Sequence, residues 1–83
     1  MTKDVHLIAL GKKIRSVRKG KSLSQEQVAL ATEFARSYFG GVERGERNIS
    51  AKNLIKLAMK LDIEVGELFP SKAELKKLKK LKN

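Results

Sequence analysis

Arg36, Ser37 and Arg44 lie within nine residues of one another, with Gly40 and Gly41 between them. Guanidinium groups and a hydroxyl are hydrogen-bond donors suited to phosphate oxygens and to base edges. They are not a catalytic set. The chain has one histidine, His6, and no cysteine, so Ser37 lacks the neighbouring base that a serine nucleophile needs. His6 reads as a surface residue. One histidine and nine carboxylates leave little material for an acid–base pair or a metal cluster. No catalytic residue, metal or cofactor is expected, and the chain does not read as an enzyme.

Charge narrows the class of partner. Nineteen Lys and Arg against nine Asp and Glu give a formal charge of +10 on 83 residues. A small domain with that excess expects a polyanion. No apolar run approaches the roughly 18 residues of a membrane span, and no signal-peptide pattern opens the chain. A cytoplasmic location without membrane contact is therefore expected. A core built from about 80 residues is marginal, so self-association would help it.

The elements that hold these donors read as helices throughout. Leu7, Leu10, Ile14 and Val17 share one face of a helix spanning roughly 5–19. Ser24 opens a second helix: its hydroxyl caps the free amides, and Gln27 reaches back to complete a capping box. Leu23 and Val28 have staple spacing around that cap. The second helix ends near Thr32, and a third starts at Ala35 or Arg36 and stops near Arg44. Phe34, Phe39 and Val42 supply its inward side, and Gly45 suits a left-handed closing position. Ser50 caps a fourth helix, in which Leu54, Leu57, Ala58 and Leu61 continue inward. A short turn near 65–69 adds Val65, Leu68 and Phe69 to the core. The fold class is thus all-α: about five short helices in residues 1–69, followed by a Lys-rich tail over 70–83.

Two short helices joined by a tight turn, from Gln25 to about Arg44, form a unit that presents the outer face of its second helix. That face carries Arg36, Ser37, Gly40, Gly41 and Arg44. An α-helix fits the major groove of DNA, and residues near its N-terminus reach base edges. Tyr38 reads equally as a phosphate contact through its hydroxyl or as a half-buried structural ring.

The strings LGKKIRSVRKGKSLSQEQVALAT, RSYFGGVERGERNIS and NLIKLAMKLDIEVGELF resemble the Cro and phage-repressor (XRE) class of helix-turn-helix domains. The resemblance covers about residues 10–69. Its most specific parts are Ser-Gln-Glu-x-x-Ala at 24–29, Arg-Ser-Tyr at 36–38 and Glu-Arg-Gly at 43–45. Within that class, RSYFGGVERGERNIS with AKNLIKLA is similar to the controller proteins of restriction–modification systems. The resemblance implies a lambda-repressor-like fold and a sequence-specific transcription regulator, repressor or activator, that binds a palindromic operator as a homodimer. By position, it implies base contacts at Arg36, Ser37 and Gly41. It implies phosphate contacts at Gln25, Arg44, Arg47 and Asn48, and a structural ion pair between Arg18 and Glu43. RNA polymerase is a further possible partner.

Departures from the family pattern bear on stability. Glu33 stands where a turn glycine is common and carries backbone strain if its φ is positive. Ala35 forfeits a cap worth about 1 kcal/mol. Gly40 and Gly41 weaken the third helix by about 0.8–1 kcal/mol each relative to Ala. They also remove two side chains that could read bases, so Arg36 and Ser37 carry much of the direct readout. Ser22 and Asp62 replace helix-ending glycines.

Two further segments are open. Ile55, Met59, Ile63 and Val65, with Leu68 and Phe69, are apolar residues beside or after the inward stripe of the fourth helix. They mark a candidate dimer interface, at the place where the resembled family dimerises. The tail carries six Lys against one Glu from Ser71 onward, with a second capping box at Ser71–Glu74 and Leu75, Leu78 and Leu81 at steps of three. It reads as a solvated helix, an added grip on DNA or a dimer-flanking element. The competing function is an antitoxin-type protein that binds DNA and a partner protein. An RNA binder would need an exposed aromatic platform, which the sequence lacks.

Overall fold

A computed structural model describes residues 4–78. It contains α1 (Val5–Gly20), α2 (Gln25–Thr32), α3 (Arg36–Glu43), α4 (Ala51–Leu61), a 3₁₀ turn (Val65–Leu68) and α5 (Lys72–Lys76). All regular structure among the described residues is helical, so the fold is all-α. Leu81 and the end of the tail lie outside them.

Four of the five α-helices among the described residues start where a side chain satisfies free amides. Ser24 Oγ accepts from the Gln27 amide at 3.0 Å, and Gln27 Oε1 accepts from the Ser24 amide at 2.8 Å. Ser50 caps α4 through the Asn53 amide. Asp4, which the periodicity of α1 does not announce, caps α1 through the His6 and Leu7 amides. Only α3 among the four longer helices begins without a side-chain cap, because Ala35 has no acceptor to offer.

The four longer helices end in one way. The left-handed residues are Ser22 (φ 60°), Glu33 (φ 66°), Gly45 (φ 79°) and Asp62 (φ 58°). After each, the next amide reaches back five residues: Leu23 to Arg18, Phe34 to Ala29, Glu46 to Gly41 and Ile63 to Ala58. This is the Schellman closure, which favours glycine at the left-handed position. Three of the four positions are not glycine.

The core runs through the middle of the bundle. Ile14, Val28, Ala29, Phe39, Val42, Ile49, Leu54, Leu57, Ala58, Leu61 and Leu68 are buried, with Leu10, Val17, Leu23, Phe34, Tyr38 and Ile63 packed around them. The 3₁₀ turn corrects one expectation. Leu68 is enclosed between α1 and α4, but Val65 and Phe69 stay 39% and 45% exposed. One turn of four residues offers a single side chain to that slot, and Leu68 fills it. At the other side of α1, Gly11 meets the end of α3 so closely that a Cβ there would stand 2.5 Å from the Val42 and Glu43 carbonyl oxygens. Glycine at position 11 sets the spacing of α1 and α3.

Candidate nucleic-acid interface

The frame of the α2–α3 unit is a buried ion pair. Arg18 Nε donates to Glu43 Oε2 at 2.7 Å and Arg18 Nη2 donates to Glu43 Oε1 at 3.0 Å. Two further bonds hold the pair. Arg18 Nη1 donates to the Leu23 carbonyl at 2.7 Å, and Gln25 Nε2 donates to Glu43 Oε1 at 2.8 Å. The two charged side chains are only 7% and 2% exposed. Four segments therefore meet at one point: α1, the loop after it, the start of α2 and the end of α3. A two-pronged guanidinium–carboxylate contact fixes orientation as well as distance. The clamp sets how α3 is aimed.

Below the turn, Thr32 is fully buried, and its Oγ1 donates to the Val28 carbonyl at 2.8 Å. Phe34 packs edge-on to Tyr38, with ring centroids 5.4 Å apart. Tyr38 Oη accepts from Asn53 Nδ2 at 3.1 Å, joining α3 to α4. The ring of Tyr38 is half-buried, and Arg47 stacks over it at 5.2 Å from the centroid.

On the outer side, Arg36, Ser37, Arg44, Arg47 and Asn48 are exposed. Arg44 Nε donates to Glu46 Oε1 at 3.0 Å, so one of these cations has a carboxylate beside it. Gly40 and Gly41 are covered, not bare: arginine side chains lie over both. Gln25 is half-buried and turned toward Glu43, so its side-chain nitrogen belongs to the clamp. Asn53 and Glu46 were not singled out by the sequence. Glu46 was the more legible of the two, being the lone acid between Arg44 and Arg47.

A helix-turn-helix family model matches residues 14–68. The chain belongs to the helix-turn-helix family. It is 41% identical to the control protein C.MunI of Mycoplasma sp over 75% of this chain and 85% of that protein. The crystal structure of the restriction–modification controller protein C.AhdI from Aeromonas hydrophila superimposes with a TM-score of 0.77 and 50% identity. That match covers 80% of this chain and all of C.AhdI. The biofilm regulator SinR, solved in complex with DNA, matches with a TM-score of 0.67 and 33% identity, over 71% of this chain and 95% of SinR. Of the two short helices joined by the tight turn, α3 has five of its eight residues buried and leaves Arg36 and Ser37 exposed in its first turn.

The remaining candidates lie on the other elements. Ile55 and Met59 are exposed one turn apart on α4, and Ile63 is half-buried against the core. Lys13 Nζ stands 3.4 Å from Glu74 Oε1, which fastens α5 to α1. A groove of about 510 Å³ runs between them, floored by Val5, Ile8, Ala9 and Pro70. No helix among the described residues is long and apolar enough to cross a membrane, and no group of His, Cys, Asp and Glu among them could hold a metal ion.

Proposed function

We propose that this chain is a sequence-specific DNA-binding transcription regulator of the restriction–modification controller type, working as a homodimer on an inverted-repeat operator. One observation carries the reading. The Arg18–Glu43 clamp fixes α3 with Arg36, Ser37 and Arg44 outward, in a chain whose relatives include named control proteins. Arg36 and Ser37, in the first turn of α3, meet base edges in the major groove. Arg44, Arg47 and Asn48 hold phosphates beside it. The Tyr38 hydroxyl, already engaged by Asn53, supports the helix. Gln25 contributes by steadying Glu43. Two copies place their α3 helices in successive major grooves about 34 Å apart. RNA polymerase is the second candidate partner, at promoters next to the operator. The antitoxin alternative draws no support from relatives that are control proteins and transcriptional regulators.

Selection from random duplex DNA, followed by sizing of the complex, tests the reading. A palindromic consensus bound by two subunits is the expected result. Recovery of no consensus, or of an asymmetric site bound by one subunit, overturns it.

A further inference from the structure

Gly40 and Gly41 stand in the middle of α3, where glycine is a poor helix former. Neither has a positive φ, so the backbone does not require it there. Nor does another backbone press on either position. At Gly11 and Gly45 an added Cβ would strike main-chain atoms at 2.5–2.6 Å. At Gly40 and Gly41 it would strike arginines instead. A Cβ on Gly40 would lie 3.1 Å from Arg44 Nη1, 3.5 Å from Arg36 Nη1 and 3.6 Å from Gln25 Oε1. One on Gly41 would lie 2.7 Å from Arg47 Cγ.

Arg36 and Arg44 sit at opposite ends of α3, yet their guanidiniums approach the same empty point above Gly40. Two cations that close repel each other unless acceptors sit between them. Gln25 Oε1 lies near the same point, and Glu46 holds Arg44 from behind through Nε. One Nη atom of each arginine lies within 3.5 Å of that point. Arg47, for its part, lies along the helix with its stem on Gly41 and its guanidinium over Tyr38.

We propose that Gly40 and Gly41 are positioning residues for DNA recognition: without their side chains, Arg36 and Arg44 converge on one acceptor cluster of the DNA and Arg47 is laid flat beside them. The inference rests on the DNA-binding reading above. The acceptor chemistry is a pair of adjacent electron-rich atoms, met either at the O6/N7 edge of guanine, where Arg44 would join Arg36 on the base, or at the oxygens of one phosphodiester, where Arg36 would join Arg44 on the phosphate.

Gly40→Ala separates this role from a structural one, because the two predict opposite signs. Alanine is the better helix former, and the atoms it meets are flexible side-chain ends, so the thermal midpoint rises. Operator affinity falls at least fivefold, whereas in an Arg44→Ala background the same substitution costs less than twofold. Gly41→Ala moves the Arg47 stem. Since Tyr38 is the sole tyrosine and the chain has no tryptophan, its fluorescence reports that shift directly. Operators carrying 7-deazaguanine or a single methylphosphonate locate the acceptor: the modification at the true partner abolishes the difference between wild type and Gly40→Ala. Wild-type operator affinity in Gly40→Ala overturns the proposal, as does an equal loss with and without Arg44. So does a difference that survives every modified operator. In each of these cases wild-type operator binding, and with it the proposed function, still stands.

Discussion

Arg18 and Glu43 are joined by two hydrogen bonds, of 2.7 and 3.0 Å, across 25 positions of sequence. The pair ties the first helix to the last turn of α3. Its value lies in being partnered throughout: the Leu23 carbonyl and the Gln25 amide each add a bond, and no buried side-chain nitrogen or oxygen among the described residues lacks a partner. Removing one partner strands the other charge in the core. Glu43→Ala or Arg18→Ala is expected to cost about 3–5 kcal/mol, measured by urea unfolding followed by circular dichroism. An Arg18→Met, Glu43→Leu double variant recovers most of that loss, since it buries no unpaired charge. A single variant as stable as wild type would refute the clamp.

Three Schellman closures carry a side chain where glycine is favoured. Left-handed backbone costs a non-glycine residue roughly 1–2 kcal/mol, although glycine returns part of the gain through its freer unfolded chain. Glu33→Gly is therefore expected to stabilise by about 0.5–1 kcal/mol, raising the melting midpoint by about 4–8 °C per kcal/mol for a domain of this size. Asp62→Gly should gain less than Ser22→Gly, because Asp tolerates this region better. Glu33 gives up only a 3.9 Å contact with Lys56 at an exposed site, which is worth little. A lowered midpoint in all three variants would show that these side chains stabilise by some other contact.

The start of α2 was legible in the sequence because its signals are local: Ser24 and Gln27 are three residues apart and satisfy each other. The inward face of α4 was legible for the same reason, since Leu54, Leu57, Ala58 and Leu61 repeat at helical spacing. The Arg18–Glu43 pair was legible only through resemblance, because periodicity says nothing about residues 25 positions apart. Val65 and Phe69 were misplaced into the core because apolar character does not say which of three neighbouring residues a single slot admits. The glycine pair gave a cost in helix stability but not its cause. That cause is the fold-back of long arginine side chains, which no local pattern encodes.

Arg36 is exposed at the first position of α3. If it reads guanine, Arg36→Ala costs about 1–3 kcal/mol on the operator and much less on random duplex. Competition binding at one fixed salt concentration measures both. An equal loss on the two DNAs would reduce Arg36 to a phosphate contact.

Glu74 Oε1 accepts the Ser71 amide at 2.7 Å, and that bond, aided by the Lys13 ammonium, holds its carboxyl below its ordinary value of 4.5. A carboxyl lowered in the folded state stabilises above its ordinary value and loses that contribution as pH falls through the lowered one. The cap at the start of α5 should thus be intact from neutral pH down to about 4.5 and weaken below it. Amide chemical shifts of Ser71 and Glu74, followed from pH 7 to pH 3, provide the check. Glu74→Gln should flatten that transition while leaving α1–α4 unchanged. A transition that persists in Glu74→Gln would assign it to another group.

The proposed dimer face follows from what α4 does not bury. Leu54, Leu57, Ala58 and Leu61 point into the core, while Ile55 and Met59 are 52% and 74% exposed. With Val65 and Phe69 they give four apolar residues without cover in the protomer. Leu68 is fully enclosed by its own chain, and Ile63 packs on the core, so neither is a clean probe of association. Met59→Glu is clean, because it places a charge on an exposed position and removes nothing from the core. Sedimentation should shift from dimer to monomer while the helical circular dichroism signal is retained. If two α3 helices engage one operator, each is bound through the other, an advantage of roughly 10²–10⁴ that a monomer loses. Operator affinity should therefore drop steeply, with binding to a single half-site nearly unchanged. A dimer that persists in both Met59→Glu and Ile55→Glu would place the interface on another face.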